Sequence, residues 1–224
     1  MNNDLTRTER DNKFLLCGII FSFIFILLCS FILSPMAVGL PKLFYSRLIT
    51  WVDILILYFY ARKIEHRKYL LWAETWYGPV FYIKWLFLLF LLIICCGIIA
   101  RIPSLFGLHD NEAIARRVMA IVKSNNFTFA FTLITAGVTE ELIFRGYVLP
   151  RLELLTKNPY ISLIITSLLF AGLHYGYHSL SELLFTFCFA IVCGAHYQIY
   201  KSISTLIVFH ILVDLIALSI HHPQ

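Results

Sequence analysis

Phe14-Leu-Leu-Cys-Gly-Ile-Ile-Phe-Ser-Phe-Ile-Phe-Ile-Leu-Leu-Cys-Ser-Phe-Ile-Leu33 is a run of 20 residues without a charge, and its reading decides the fold. A helix that crosses a bilayer needs about 20 consecutive apolar residues. A signal-peptide core is shorter, about 7–15 residues, and ends at a small-residue cleavage site. Residues 1–13 are polar, so the run reads as a retained first transmembrane helix.

The rest of the chain has the same character. Of 224 residues, 60% are hydrophobic and only 14% charged, and the mean hydropathy is +0.81. Soluble domains run near 45–50% apolar and about 25% charged. This composition excludes a soluble globular enzyme, a disordered chain and a nucleic-acid-binding module. Further apolar stretches lie at 48–61, 80–100, 127–149, 160–177, 183–200 and 203–220. The second is short and carries Asp53, and Leu43–Tyr45 would extend it. The expected fold is an all-α polytopic transmembrane bundle of about seven spans, one integral membrane domain. Within it, residues 1–125 form N-terminal helices with a connector and 126–224 a helical core.

The connector, Arg101–Asn125, reads differently. Asp110 can cap a helix in which Ile114, Val118, Ile121 and Val122 share one face while Arg116, Arg117 and Lys123 lie away from it. That spacing describes an amphipathic helix, expected to lie in the membrane interface. Basic residues then set the orientation. With the N-terminus inside, the inner segments hold ten of them (Arg7, Arg10, Lys13, Arg62, Lys63, Arg67, Lys68, Arg151, Lys157, Lys201). The outer segments hold six: Lys42, Arg47, Arg101, Arg116, Arg117 and Lys123. Excess positive charge favours the cytoplasmic side, so a cytoplasmic N-terminus in a cell-membrane protein is expected. The six cysteines fall in apolar runs with no disulfide or zinc spacing and read as packing residues.

The chemistry lies in the polar residues of the later spans, because charges at membrane depth face a cavity or a partner. The fourth span runs Phe127-Thr-Phe-Ala-Phe-Thr-Leu-Ile-Thr-Ala-Gly-Val-Thr-Glu140-Glu141-Leu-Ile-Phe-Arg145-Gly146. Glu141 and Arg145, four apart, share a helix face, whereas Glu140 points about 100° away. In the fifth span Phe170 lies one turn from His174 and can wall its ring. Gly172 and Gly176 there form a pair that would admit a neighbouring helix closely. In the seventh, His210 and Asp214 are one turn apart. At a rise of about 1.5 Å per residue, Glu140, His174, His210 and Asp214 lie roughly 12, 21, 10 and 16 Å into their spans. All scatter around the middle of a ~30 Å hydrocarbon layer and could line one cavity. Asp53 and Lys84 read as snorkelling or paired charges near span ends, Tyr177 and His178 as interfacial, and His196 as a hydrogen-bonder between helices.

A buried carboxylate beside an imidazole can take a proton from water, and a second imidazole can hydrogen-bond the oxyanion formed at a carbonyl. Neither a Gly-x-Ser-x-Gly elbow nor His-Glu-x-x-His occurs, so no covalent nucleophile and no usual zinc motif is indicated. A zinc site built from Glu140, His174 and His210 stays open, since Glu and His are ordinary zinc ligands. A proton relay of a transporter also stays open, although no inverted repeat is visible.

Glu140-Glu141-Leu-Ile-Phe-Arg145, Phe170-Ala-Gly-Leu-His174 and His210-Ile-Leu-Val-Asp214 resemble, in order, the three motifs of the CPBP family. That family comprises type II CAAX prenyl proteases and bacterial proteins linked to bacteriocin processing and self-immunity. The resemblance covers about residues 127–220. It implies a glutamate-dependent intramembrane endopeptidase that needs no metal or other cofactor, acting on a peptide or membrane-protein substrate within the lipid bilayer. Glu140 with His174 would activate water, His210 and Asp214 would form the oxyanion site, and Glu141 and Arg145 would hold the first motif. Asp214 departs from the Asn often found there, and an ionised Asp would repel an oxyanion. Either Asp214 carries a proton or it orients His210 and keeps it positively charged. The family also allows a non-catalytic immunity or scaffold role. The substrate and the oligomeric state are not legible in the chain.

Overall fold

The computed structural model describes residues 2–108, 110 and 113–220, with side chains over 9–108, 110 and 113–219. No strand occurs among them, and the helices follow the apolar stretches closely. They are α1 (Asn2–Leu33), α2 (Leu40–Lys63), α3 (Pro79–Ala100), α4 (Ile102–Leu105), α5 (Ala113–Val122) and α6 (Asn126–Glu141). A π-helical turn, Leu142–Val148, joins α6 to α7 (Leu149–Thr156). Then come α8 (Pro159–Leu173), a 3-10 turn (His174–Tyr177), α9 (Leu180–Tyr200) and α10 (Ile203–Ile220).

Six of these runs are long and apolar enough to cross a membrane, and α10, the seventh expected span, is a shorter apolar helix. The chain is an integral membrane protein. Its outer surface carries the side chains that a soluble protein hides, among them Phe31, Val80 and Leu105, each at least 73% exposed. Cys17 and Cys95 also lie on that surface, while Cys96 and Cys193 are buried.

Local chemistry sets the helix starts. Pro41, Pro79 and Pro159 occupy first turns, where a missing N–H costs nothing. Asn125 caps α6 by accepting the Thr128 N–H at 2.8 Å, and Asn158 caps α8 through Tyr160 and Ile161. The second span, weak in sequence, starts at Leu40 and so includes Leu43–Tyr45. Asp53 is not near a span end but mid-helix and fully buried, where its Oδ2 accepts the Ser22 hydroxyl of α1 at 2.6 Å. A carboxylate held between two packed helices has no route to snorkel. Lys84, by contrast, is exposed in the first turns of α3.

α5 keeps its amphipathic pattern: Val122 is buried, Ile114, Val118 and Ile121 half-buried, Arg116 and Arg117 exposed. Asp110 also reaches a second helix. Its Oδ1 accepts the Leu180 and Ser181 N–H groups at 2.7 and 3.3 Å, supporting the start of α9. Asn111 and Glu112, between Asp110 and α5, lie outside the described residues, as does the C-terminal His221-His222-Pro223-Gln224.

Packing pairs α8 with α9, α6 with α10, α3 with α9, and α1 with α2. The buried core is centred on the π turn, where Ile143 to Val148 are all buried. Close approach depends on different glycines from those singled out in the sequence. Nothing lies within 4 Å of a Cβ placed on Gly172 or Gly176. A Cβ on Gly137 would instead sit 2.5 Å from Ile211 Cγ1 and 3.2 Å from its backbone N, so Gly137 sets the α6–α10 spacing. Gly194 does the same for α9 against Leu163 of α8.

Two polar clamps tie the 64–78 loop to the bundle. Arg151 of α7 grips the buried Glu65 carboxylate with Nε and Nη2 at 2.5–3.0 Å and donates to the Tyr69, Tyr147 and Lys68 carbonyls. Glu74 accepts the Ile203 and Ser204 N–H groups at 2.8 and 3.2 Å, capping α10 from outside its own helix.

Candidate active site

The π turn begins at the residue after Glu141, so the first motif straddles the change from α to π winding. Such turns widen a helix locally and recur at functional sites. Here Glu141 and Arg145 still meet, at 3.0 Å, and both are almost completely buried. Arg145 also lies 4.7 Å over the Phe170 ring and 5.6 Å over Phe189. Phe170 in turn packs on His174, ring centroids 5.0 Å apart. One aromatic ring thus joins the first motif to the second.

His174 closes α8. Its Nδ1 lies 3.0 Å from the Phe170 carbonyl. A carbonyl only accepts, so Nδ1 carries the hydrogen and Nε2 is left for chemistry. The imidazole is half-buried and stacks on Tyr177 at 6.2 Å, so Tyr177 belongs to the site rather than to an interface alone.

His210, brought by α10, lies 2.8 Å from Glu141 Oε1 through Nδ1. Its Nε2 therefore turns to the other two carboxylates: 4.0 Å to Glu140 Oε2 and 3.7 Å to Asp214 Oδ2. Neither is within hydrogen-bond distance. The sequence pointed to Asp214 as the possible orienter of His210. The hydrogen bond that fixes the ring comes from Glu141, because α6 and α10 approach closely at Gly137 while Asp214 is a third exposed.

Glu140 is the freer of the paired glutamates, 17% exposed against none for Glu141. The groups acting on it electrostatically are His210, His174, Arg47 and Arg145. Glu140, His174 and His210, from three separate helices, thus share one cluster, with Asp214 beside it. Among the described residues, no three His, Cys, Asp or Glu side chains group as metal ligands.

Sequence reasoning missed Arg47. Its Nη1 lies 3.3 Å from Glu140 Oε1. Counted as a loop charge before a span starting at residue 48, it sits two turns inside α2. One turn on, Trp51 Nε1 donates to Thr135 Oγ1 at 3.4 Å, fixing this face of α2 on α6. Glu182, in the first turn of α9, also faces the cluster, with His174, Asp214 and Glu140 among its electrostatic neighbours. His196, expected to hydrogen-bond between helices, is buried among Phe81, Trp85 and Tyr200, and neither ring nitrogen has a hydrogen-bond partner among the described residues.

No curated protein and no solved structure matches the chain. Residues 123–216, which hold all three motifs, match the family model described as type II CAAX prenyl endopeptidase Rce1-like.

Proposed function

We propose that the chain is an intramembrane endopeptidase in which Glu140 and His174 activate water and His210 stabilises the oxyanion. The observation that carries this reading is the meeting of Glu140 with His210 across the α6–α10 contact, with His174 beside them. Atoms 4.0 Å apart, as Glu140 Oε2 and His210 Nε2 are, can both reach one reacting centre between them. Glu140 removes a proton from water as the oxygen adds to the peptide carbon. The carbonyl electron pair moves to its oxygen, opposite His210 Nε2, which donates from the imidazolium form that Glu141 stabilises through Nδ1. Collapse returns that pair, breaks the C–N bond, and passes the proton to the departing amine. Glu141 holds His210 in place and Arg145 holds Glu141. The step as written uses these side chains and no metal.

The description of the matching family makes a prenylated CAAX peptide the first substrate to test. Peptides from membranes of cells carrying the native chain are to be compared with those from cells carrying Glu140→Gln. Cleavage products confined to the native chain are expected. Full activity in the variant would remove Glu140 from the mechanism, and loss on chelation with recovery on zinc would make the enzyme a metalloprotease. The same cells, carrying a reporter at the N-terminus, test its cytoplasmic placement.

A further inference from the structure

The cluster has a cation that the three motifs do not contain. Arg47 comes from α2, outside the matched residues 123–216. It reaches Glu140 with one nitrogen only, at 3.3 Å, and its Nε is buried with no hydrogen-bond partner among the described residues. A guanidinium has five N–H donors in a fixed plane, and buried donors are normally satisfied. Arg47 therefore retains unused donor capacity beside the atoms that would do the chemistry.

Charge counting gives this capacity a purpose. Glu141 is matched by Arg145 at 3.0 Å, and His210 stands between Glu140 and Asp214. Without Arg47, an oxyanion would form beside Glu140 and Asp214 with His210 as the neighbouring cation from the three motifs. Asp214 in its ionised form has no hydrogen to give and repels the developing charge. Arg47 acts electrostatically on Asp214 and on Tyr177 as well as on Glu140. It is thus an arginine that acts on both acids flanking His210, as His174 does, and its charge does not depend on protonation near neutral pH.

We propose that Arg47 is a catalytic residue whose guanidinium binds the oxygen of the scissile carbonyl and, with His210, stabilises the oxyanion, a role that an ionised Asp214 cannot fill. This rests on the endopeptidase reading above. As water adds to the carbonyl carbon, the negative charge on the oxygen is met by His210 on one side and Arg47 on the other. The pair with Glu140, being single-pronged, leaves the fork free to do so.

The test is steady-state cleavage, in detergent, of an internally quenched prenylated CAAX peptide. If that is not cut, the peptide recovered from the native membranes takes its place. Removing one oxyanion donor costs roughly 100- to 1,000-fold in kcat, and that loss with little change in KM is expected for Arg47→Gln. Asp214→Asn added to Arg47→Gln should restore activity at least about tenfold, because Asn supplies a donor and removes a repelling charge. Asp214→Asn alone should gain less than it gains beside Arg47→Gln, and an equal gain in both backgrounds overturns the role. Thermal unfolding checks that each variant folds. If Arg47→Gln does not, Arg47→Lys carries the test, since it keeps the charge, loses the fork, and should lie between native and Gln in kcat. Activity of Arg47→Gln within about threefold of native overturns the role. So does full recovery of Arg47→Gln at higher pH, which would make Arg47 only a tuner of Glu140. A native chain that cuts nothing sinks the endopeptidase reading itself, whereas a native chain that cuts beside an unimpaired Arg47→Gln sinks only Arg47.

Discussion

His210 Nδ1 lies 2.8 Å from Glu141 Oε1, so the second glutamate of the first motif, on α6, holds the histidine of the third motif, on α10. The same oxygen accepts from Arg145 at 3.0 Å. A carboxylate shared by a guanidinium and an imidazole is a joint between two helices, and neither motif keeps its shape alone. The first and third motifs are one structural unit, although 69 residues separate the two partners.

Glu141→Gln should therefore behave unlike Glu140→Gln. Removing the Glu141 charge leaves Arg145 buried without its partner, a change that costs about 3–5 kcal/mol when a buried pair is broken. Thermal unfolding in detergent should show a large fall for Glu141→Gln and a smaller change for Glu140→Gln, whose side chain is partly exposed. Equal midpoints for the two variants would contradict the joint.

Gly137→Ala should separate the same two helices. The new methyl would meet the Ile211 backbone, which cannot swing aside as a side-chain tip can. Overpacking of this kind costs about 1–3 kcal/mol. Widening the α6–α10 contact would also lengthen the His210–Glu141 bond, so cleavage should fall with stability. Gly172→Ala, with open space around its Cβ, should unfold like the native chain. The reverse order of the two variants would restore the helix contact that the Gly172/Gly176 spacing suggested.

What the sequence made legible follows from which rules act locally. Uncharged runs mark spans because lipid offers the backbone no partner, so the helices lie where composition puts them. Glu140, His174, His210 and Asp214 stood out because each is a polar group in an apolar run. Arg47 did not, because it falls seven residues after the start of α2, where a snorkelling charge is unremarkable. The π turn left no mark either. Its winding depends on the burial of Ile143 to Val148 against four other helices, not on any residue type within it. Gly172 and Gly176 matched a packing spacing, but that spacing says nothing about whether a helix is present to use it. Asp110 and Glu74 each cap a helix remote in sequence, a pairing no local pattern encodes.

Arg151→Met should unfold the chain far more readily than Glu65→Gln with Arg151→Met together. The single change leaves Glu65 charged and buried beside Tyr147, whose hydroxyl donates to it at 2.7 Å. Breaking such a pair costs about 3–5 kcal/mol, while replacing both partners is often close to neutral. Three carbonyls lose a donor in either case, so the double variant should recover most but not all of the native midpoint. No recovery at all would show that Arg151 acts through those carbonyls and not through Glu65.

Asp110 supplies a pH signature outside the spans. Hydrogen bonds from the Ser181 hydroxyl, the Ser181 and Leu180 N–H groups and the Ser179 hydroxyl hold its carboxyl below the usual carboxylate range. A carboxyl depressed in the folded state stabilises the fold above its unfolded value, near 3.9, and the gain is lost as pH falls through the folded value. On the scale of a helix cap, Asp110→Ala should cost about 1 kcal/mol at neutral pH. The gap between native and variant should hold from pH 7 to about 5, then narrow below about 4 as the native carboxyl takes up a proton. Hydrogen exchange at the Leu180 and Ser181 amides should follow the same course, since those are the donors the carboxylate receives. The link to function is positional: α9 starts three residues after the turn that bears His174, so a frayed α9 loosens that turn. A native–variant gap that stays constant down to pH 3 would mean that Asp110 anchors α9 by packing alone.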